Sequence, residues 1–188
     1  MMPLLNETDA TALDALRTRQ GAGARYDVAA APHDDLLLAR RGAAFFARIL
    51  NNLTDKDLDG PSLRTGLSRR HIVSEISLHA RAMALAIKAA RVGPSEEETN
   101  WLPDPALTVA LPTRALRSLY MHSDVHLNVE FRDLTSEQWD ATIESEEQMI
   151  SIRNLPVLRG RDLWLGAVDL NASAQAAAIP EQFRAKFR

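Results

Sequence analysis

The stretch Gly66-Leu67-Ser68-Arg69-Arg70-His71-Ile72-Val73-Ser74-Glu75-Ile76-Ser77-Leu78-His79 opens a long amphipathic pattern. It predicts a helix from Ser68 to about Arg91. Ser68 suits the N-cap, because its hydroxyl accepts a bond from an unpaired first-turn amide. Ile72, Ile76, Met83 and Ile87 recur at three- and four-residue steps and make one buried stripe. His71, Glu75 and His79 stack along a neighbouring face. Titratable groups beside an apolar stripe are costly unless they find partners, so this face is the first place to look for chemistry.

Outward from that stretch, the pattern repeats. Upstream, His33 to about Leu53 predicts a helix with Leu36, Leu37, Ala43, Phe46, Ile49 and Leu50 as a broad apolar face. Asp34 and Asp35 in its first turn favour the helix dipole. Residues 1–32 form an N-terminal arm. Within it Thr8 to about Gln20 has a short helical pattern, with Ala10, Leu13 and Leu16 on one side, and Gly21-Ala22-Gly23-Ala24 breaks it. The domain proper is residues 33–188.

Downstream, Gly93-Pro94 ends the second helix. The proline-bearing, acidic segment 94–111 predicts a long surface loop, with Trp101 covering the core. A third helix runs from Pro112, suited to a first helical position, to about Phe131. Its core stripe is Leu116, Leu119, Tyr120, Ser123 and Leu127. The period then changes, and Trp139–Ser145 with Gln148–Arg153 predicts a small β-hairpin. A fourth helix runs from near Pro156 to about Asn171, with Leu158, Asp162, Leu165 and Asp169 on one line. A short segment, Pro180 to Phe187, follows. Four long amphipathic helices around one core define an all-α four-helix bundle with a long crossover.

Composition narrows the function. The 188 residues suit one domain with an arm, and 22 basic against 25 acidic residues leave a net charge of −3 with no nucleic-acid footprint. No run approaches the roughly 18 apolar residues of a membrane helix. There is no cysteine. That excludes disulfides, a cysteine nucleophile and thiolate metal ligands, and fits a cytoplasmic setting.

Three segments resemble one family. Asp59-Gly60-Pro61-Ser62-Leu63 with Gly66-Leu67-Ser68-Arg69-Arg70-His71, the helix from Pro112 to Leu127, and Arg161-Asp162-Leu163-Trp164-Leu165-Gly166-Ala167-Val168-Asp169-Leu170 are similar to the mycothiol-dependent maleylpyruvate isomerase family. That family belongs to the DinB-like (DinB/YfiT-like) superfamily of four-helix bundles. The resemblance implies a divalent, zinc-like metal in the bundle core. Its ligands would be a histidine of the second helix, here His71, and a glutamate and a histidine of the fourth helix. Here those two positions hold Asp162 and Gly166, and glycine has no side chain to bind with. Leu67 replaces the family's usual tryptophan, and Glu75 stands where a second histidine is common.

A third donor would come from His126 or His122, or from Glu75 or His79. Asp162 has another reading, a pair with Arg159 or Arg161, and Asp169 anchors the turn after the fourth helix. Arg69, Arg70, Arg114 and Arg117 read as solvated. The resemblance implies isomerisation of a small unsaturated carboxylic acid in aromatic breakdown, with a metal-activated, low-molecular-weight thiol as cofactor. Two other readings stand beside it. One is a metal-free bundle that binds a small acid or a protein partner. The other pairs His71 with Asp162 or Glu75 as an acid–base couple for hydrolysis. The arm and the bundle's open end also offer surfaces for a homodimer.

Overall fold

The computed structural model describes residues 27–94, 103–145 and 148–184. The arm's helical pattern over 8–20 and Trp101 lie outside the described residues. Four long helices dominate: α1 (His33–Asn51), α2 (Arg69–Val92), α4 (Thr113–Asp133) and α5 (Leu155–Asp169). Two short helices, α3 (Pro105–Val109) and α6 (Glu181–Arg184), and a hairpin of β1 (Thr142–Ser145) and β2 (Gln148–Ser151) complete the described elements. No described helix is long and apolar enough to cross a membrane.

Contacts fix the directions. Ala39 lies against Gly160, Gly42 against Leu163 and Trp164, and Phe46 against Gly166, so α1 and α5 run parallel. Arg70 at the start of α2 reaches Val109 and Thr113 before and at the start of α4, while Arg91 at the end of α2 reaches Glu130 near the end of α4. Those two helices are also parallel. The chain therefore has to travel back along the bundle between them, and α3 belongs to that crossover. Across the bundle, α2 and α5 are antiparallel: His79 meets Asp162, and Ile76 meets Gly166.

The core lies between these pairs. Phe46, Leu58, Ile72, Val73, Leu116 and Leu163 are fully buried at one end, and Ala84, Ile87, Trp139 and Ile152 at the other. Each large apolar side chain so buried contributes about 1.5–3 kcal/mol. The helix boundaries fall within two or three residues of those read from the sequence. Four details differ. Leu37 is 47% exposed and leaves the apolar face of α1, which closes instead on Ala39 and Gly42. Pro112 is the N-cap of α4 rather than its first residue. Trp139 sits in a 3-10 turn, stacked on Phe131, not in the hairpin strand. The segment after Pro94 holds the short helix α3, whose N-cap Asp104 accepts a bond from Ala106.

The loop ahead of α2 is pinned rather than free. Ser62 and Leu67 are bonded across it, and Arg69 N–H donates to Gly60. Gly66 turns the chain at φ 78°, a conformation that suits glycine. Arg69, Arg70 and Arg117 are not solvated as expected. Arg69 donates to the Leu170 and Asn171 carbonyls at the end of α5. Arg70 donates to the Val109 and Leu111 carbonyls at the end of the crossover. Arg117 donates to the Leu50 and Leu53 carbonyls at the end of α1. Each satisfies carbonyls that a helix or loop end leaves without an intrahelical partner. Arg114 is exposed, as expected.

Candidate functional site

The polar face predicted on α2 meets α5. Its three titratable groups each take a different partner. His71 closes a capping box: Ser68 N–H donates to its Nδ1 at 3.2 Å, and Ser68 Oγ lies 2.9 Å from the same nitrogen. One turn on, Glu75 takes two bonds from Arg64, whose Nε also donates to Asp169 at 2.7 Å. Asp169 thereby ties the end of α5 to the loop before α2, the anchoring role read from the sequence. Another turn on, His79 Nδ1 lies 2.9 Å from Asp162 Oδ2. Asp162 is mostly buried, His79 is half exposed, and Arg161 reaches the other carboxylate oxygen at 3.3 Å.

Asp162 thus meets an imidazole of α2, but it is that of His79. His71 stands about 12 Å back along the helix axis. Sequence spacing could not choose between them, because both lie on one face and only the offset between α2 and α5 decides which is level with Asp162. His126 is turned to Glu130, 3.4 Å away on its own helix, and Glu130 is also held by Arg91. His122 is exposed. Among the described residues no three His, Asp or Glu groups stand together so as to hold a metal ion.

A buried cation was missed by the sequence reading. Arg159 is 2% exposed, donates to the Ile76 carbonyl at 2.8 Å and pairs with Asp124 on α4 at 3.0 Å. Its place on α5, one turn before Leu163 and two turns before Gly166, was the available signal. Arg161, the other candidate, is the one that pairs with Asp162.

The family model of the mycothiol maleylpyruvate isomerase N-terminal domain matches residues 39–171. The chain belongs to this family. Two solved structures are similar to it: a mycothiol-dependent maleylpyruvate isomerase, with TM-score 0.71, and a histidine-to-alanine mutant of that enzyme, with TM-score 0.72. Both are 28% identical, and each match covers 80% of this chain. The chain spans only 65% of the length of those isomerase structures. No curated protein matches it.

The metal implied by the family can be tested against the residues present, and they do not fit it. A neutral imidazole has one lone pair and one proton. His71 Nδ1 is held within the cap by Ser68, which leaves Nε2 as the one ring nitrogen that could face an ion. Asp162 is engaged by His79 and Arg161. At Gly166, where the resemblance puts a ligand, a Cβ would lie 2.9 Å from Ile76 Cδ1 and 3.4 Å from Phe46 Cε2. The space for a third ligand is filled with hydrocarbon.

Proposed function

We propose that this chain is a divergent maleylpyruvate isomerase-like protein that binds a small unsaturated carboxylic acid without a metal. The observation that carries this reading is the packing of Ile76 and Phe46 into the place of a ligand at Gly166. A metal centre could return only if that hydrocarbon were cleared. The test is metal content after purification without chelator, together with calorimetric titration by maleylpyruvate. The natural chain is expected to carry no stoichiometric zinc and to bind the acid. A Gly166→His/Ile76→Ala/Asp162→Glu variant, with the clash relieved, is expected to gain zinc affinity. Stoichiometric zinc in the natural chain would overturn the reading, and so would failure to bind the acid.

A second reading is favoured by the His79–Asp162 pair. An imidazole oriented by a carboxylate can take the proton of a low-molecular-weight thiol such as mycothiol, with no metal. The thiolate adds to the cis double bond of the acid, the bond rotates, and elimination releases the trans isomer with the thiol regenerated. This is the isomerisation the family performs in aromatic breakdown, run on a different activating group. Loss of the maleyl chromophore only when thiol is present, abolished by His79→Ala, would support it. No thiol-dependent change would leave the binding reading alone.

A further inference from the structure

Between α1, α4 and α5 lies an internal hollow of about 10 Å³, room for a single oxygen atom or water. Leu127, Phe131 and Leu163 give it hydrocarbon walls, and Arg159 lines it too. It shares Arg40, Ala43, Asp124 and Asn128 with a wider hollow of about 290 Å³ in the seam between α1 and α4. The wider hollow is walled by Ala44 and Ala47 on α1 and by Met121 and Val125 on α4, each of the latter two 56% exposed. An apolar mouth that narrows to a buried polar group is the common form of a small-molecule site. Neither hollow is lined by His71, Glu75, His79 or Asp162, so this seam stands apart from the polar face of α2.

The hydrogen bonds at the deep end decide what would fit. Arg159 is 2% exposed. Its Nη1 donates to the Ile76 carbonyl and its Nη2 to Asp124. Its Nε is buried and has no acceptor among the described residues. Ser123 Oγ and Trp139 Nε1 also lack partners, but those residues line neither hollow. A buried N–H left unpaired is costly, so the deep end calls for an acceptor oxygen. The charges there are already balanced, Arg159 by Asp124 and Arg40 by Asp27. A carboxylate would bring a further charge with no partner into a mostly buried place. A hydroxyl would bring a proton that needs an acceptor of its own. The neutral polar groups alongside are in use: Asn128 accepts from Arg40 and donates to the Asp124 carbonyl, and Tyr120 donates to the Ala43 carbonyl. A carbonyl oxygen accepts from Nε–H and adds neither charge nor donor.

We propose that this seam binds a small, neutral, carbonyl-bearing molecule, with its oxygen on Arg159 Nε and its hydrocarbon body against Met121 and Val125. The site goes beyond the acid binding proposed above and selects against acids.

The test is a titration of the full chain with 2-pentanone and, separately, with butanoate, which has the same number of heavy atoms but carries a charge. Proton–nitrogen NMR follows the Arg159 Nε–H signal, assigned by its absence in Arg159→Lys, and methyl spectra follow Met121 and Val125. The ketone is expected to move all three signals along one saturation curve, and butanoate to bind at least about tenfold more weakly. Ala43→Leu, which fills the junction of the two hollows, is expected to abolish the ketone's effect. An Arg159 signal that the ketone does not move would mean that water alone takes the place, and would overturn the proposal. Butanoate binding as tightly as the ketone would overturn it as well, as would saturable shifts confined to other parts of the chain. The comparison of the two probes on the natural chain stands whether or not Ala43→Leu folds.

Discussion

The packing at Gly166 can be measured as a coupling energy. Gly166→Ala adds one methyl group to α5. In a helix interior alanine is better than glycine by about 1 kcal/mol. Against that, the new Cβ would stand 2.9 Å from Ile76 Cδ1 and 3.2 Å from its Cγ1. Ile76 is 2% exposed and lies in the core cluster with Phe46, Val73 and Leu163. Overpacking of this kind costs about 1–3 kcal/mol, so Gly166→Ala is expected to destabilise by about 1 kcal/mol. Ile76→Val removes the offending Cδ1 and alone costs about 0.5–1.5 kcal/mol. In the double variant the new methyl takes the volume of the lost one, the closest approach is removed, only the 3.2 Å approach to Cγ1 is left, and the helix gain remains. The pair should then come within about 0.5 kcal/mol of the natural chain, a coupling energy of about 2 kcal/mol. Gly160→Ala is the control. Its Cβ would meet Phe183 Cζ at 3.4 Å and Ala39 Cα at 3.5 Å, ordinary contact. It should stabilise by about 1 kcal/mol, or about 2–4 °C in a chain of this size. Urea unfolding followed by far-UV circular dichroism measures all four. If Gly166→Ala stabilises as much as Gly160→Ala, or the Gly166 and Ile76 changes simply add, the hydrocarbon does not fill that place and the case against a ligand there fails.

The Arg159–Asp124 pair should be asymmetric under mutation. Asp124→Ala strands a buried guanidinium and is expected to cost about 3–5 kcal/mol, while Arg159→Met should cost at most about half of that, because Asp124 is 21% exposed and can turn to water. Equal losses in the same urea assay would refute the account. Acid stability should depend on Asp27. Its hydrogen bond from Arg40, with the charges of Arg40, His33 and Arg132, outweighs burial and holds its carboxyl below the usual range. A carboxyl depressed in the folded state lends stability that is fully present above the ordinary carboxylate range. That stability is lost as pH falls through the folded value. Asp27→Asn should therefore flatten the acid limb of the stability curve below about pH 5, and an unchanged slope would count against the Arg40 clamp.

Much of this protein was legible in one dimension. The spacing of Ile72, Ile76 and Ile87 gave α2, and Ser68 gave its start. Gly93 gave its end, and the doubled apolar steps of the other helices gave an all-α bundle. These follow from local rules, since capping, helical period and burial of a stripe depend on neighbours three or four residues away. The family was readable for the same reason, as short ordered motifs survive divergence. The site was not. That His79 rather than His71 lies level with Asp162 depends on the axial offset of two helices distant in sequence. That His71 Nδ1 is tied to Ser68 depends on the cap geometry at the start of α2. The hydrocarbon against Gly166 comes from α1 and α2, whose contribution no motif on α5 could announce. The sequence determined which faces would be buried; only the packing of those faces decided which polar groups met, because a shift of one helical turn changes every cross-helix partner while leaving each helix's own pattern intact.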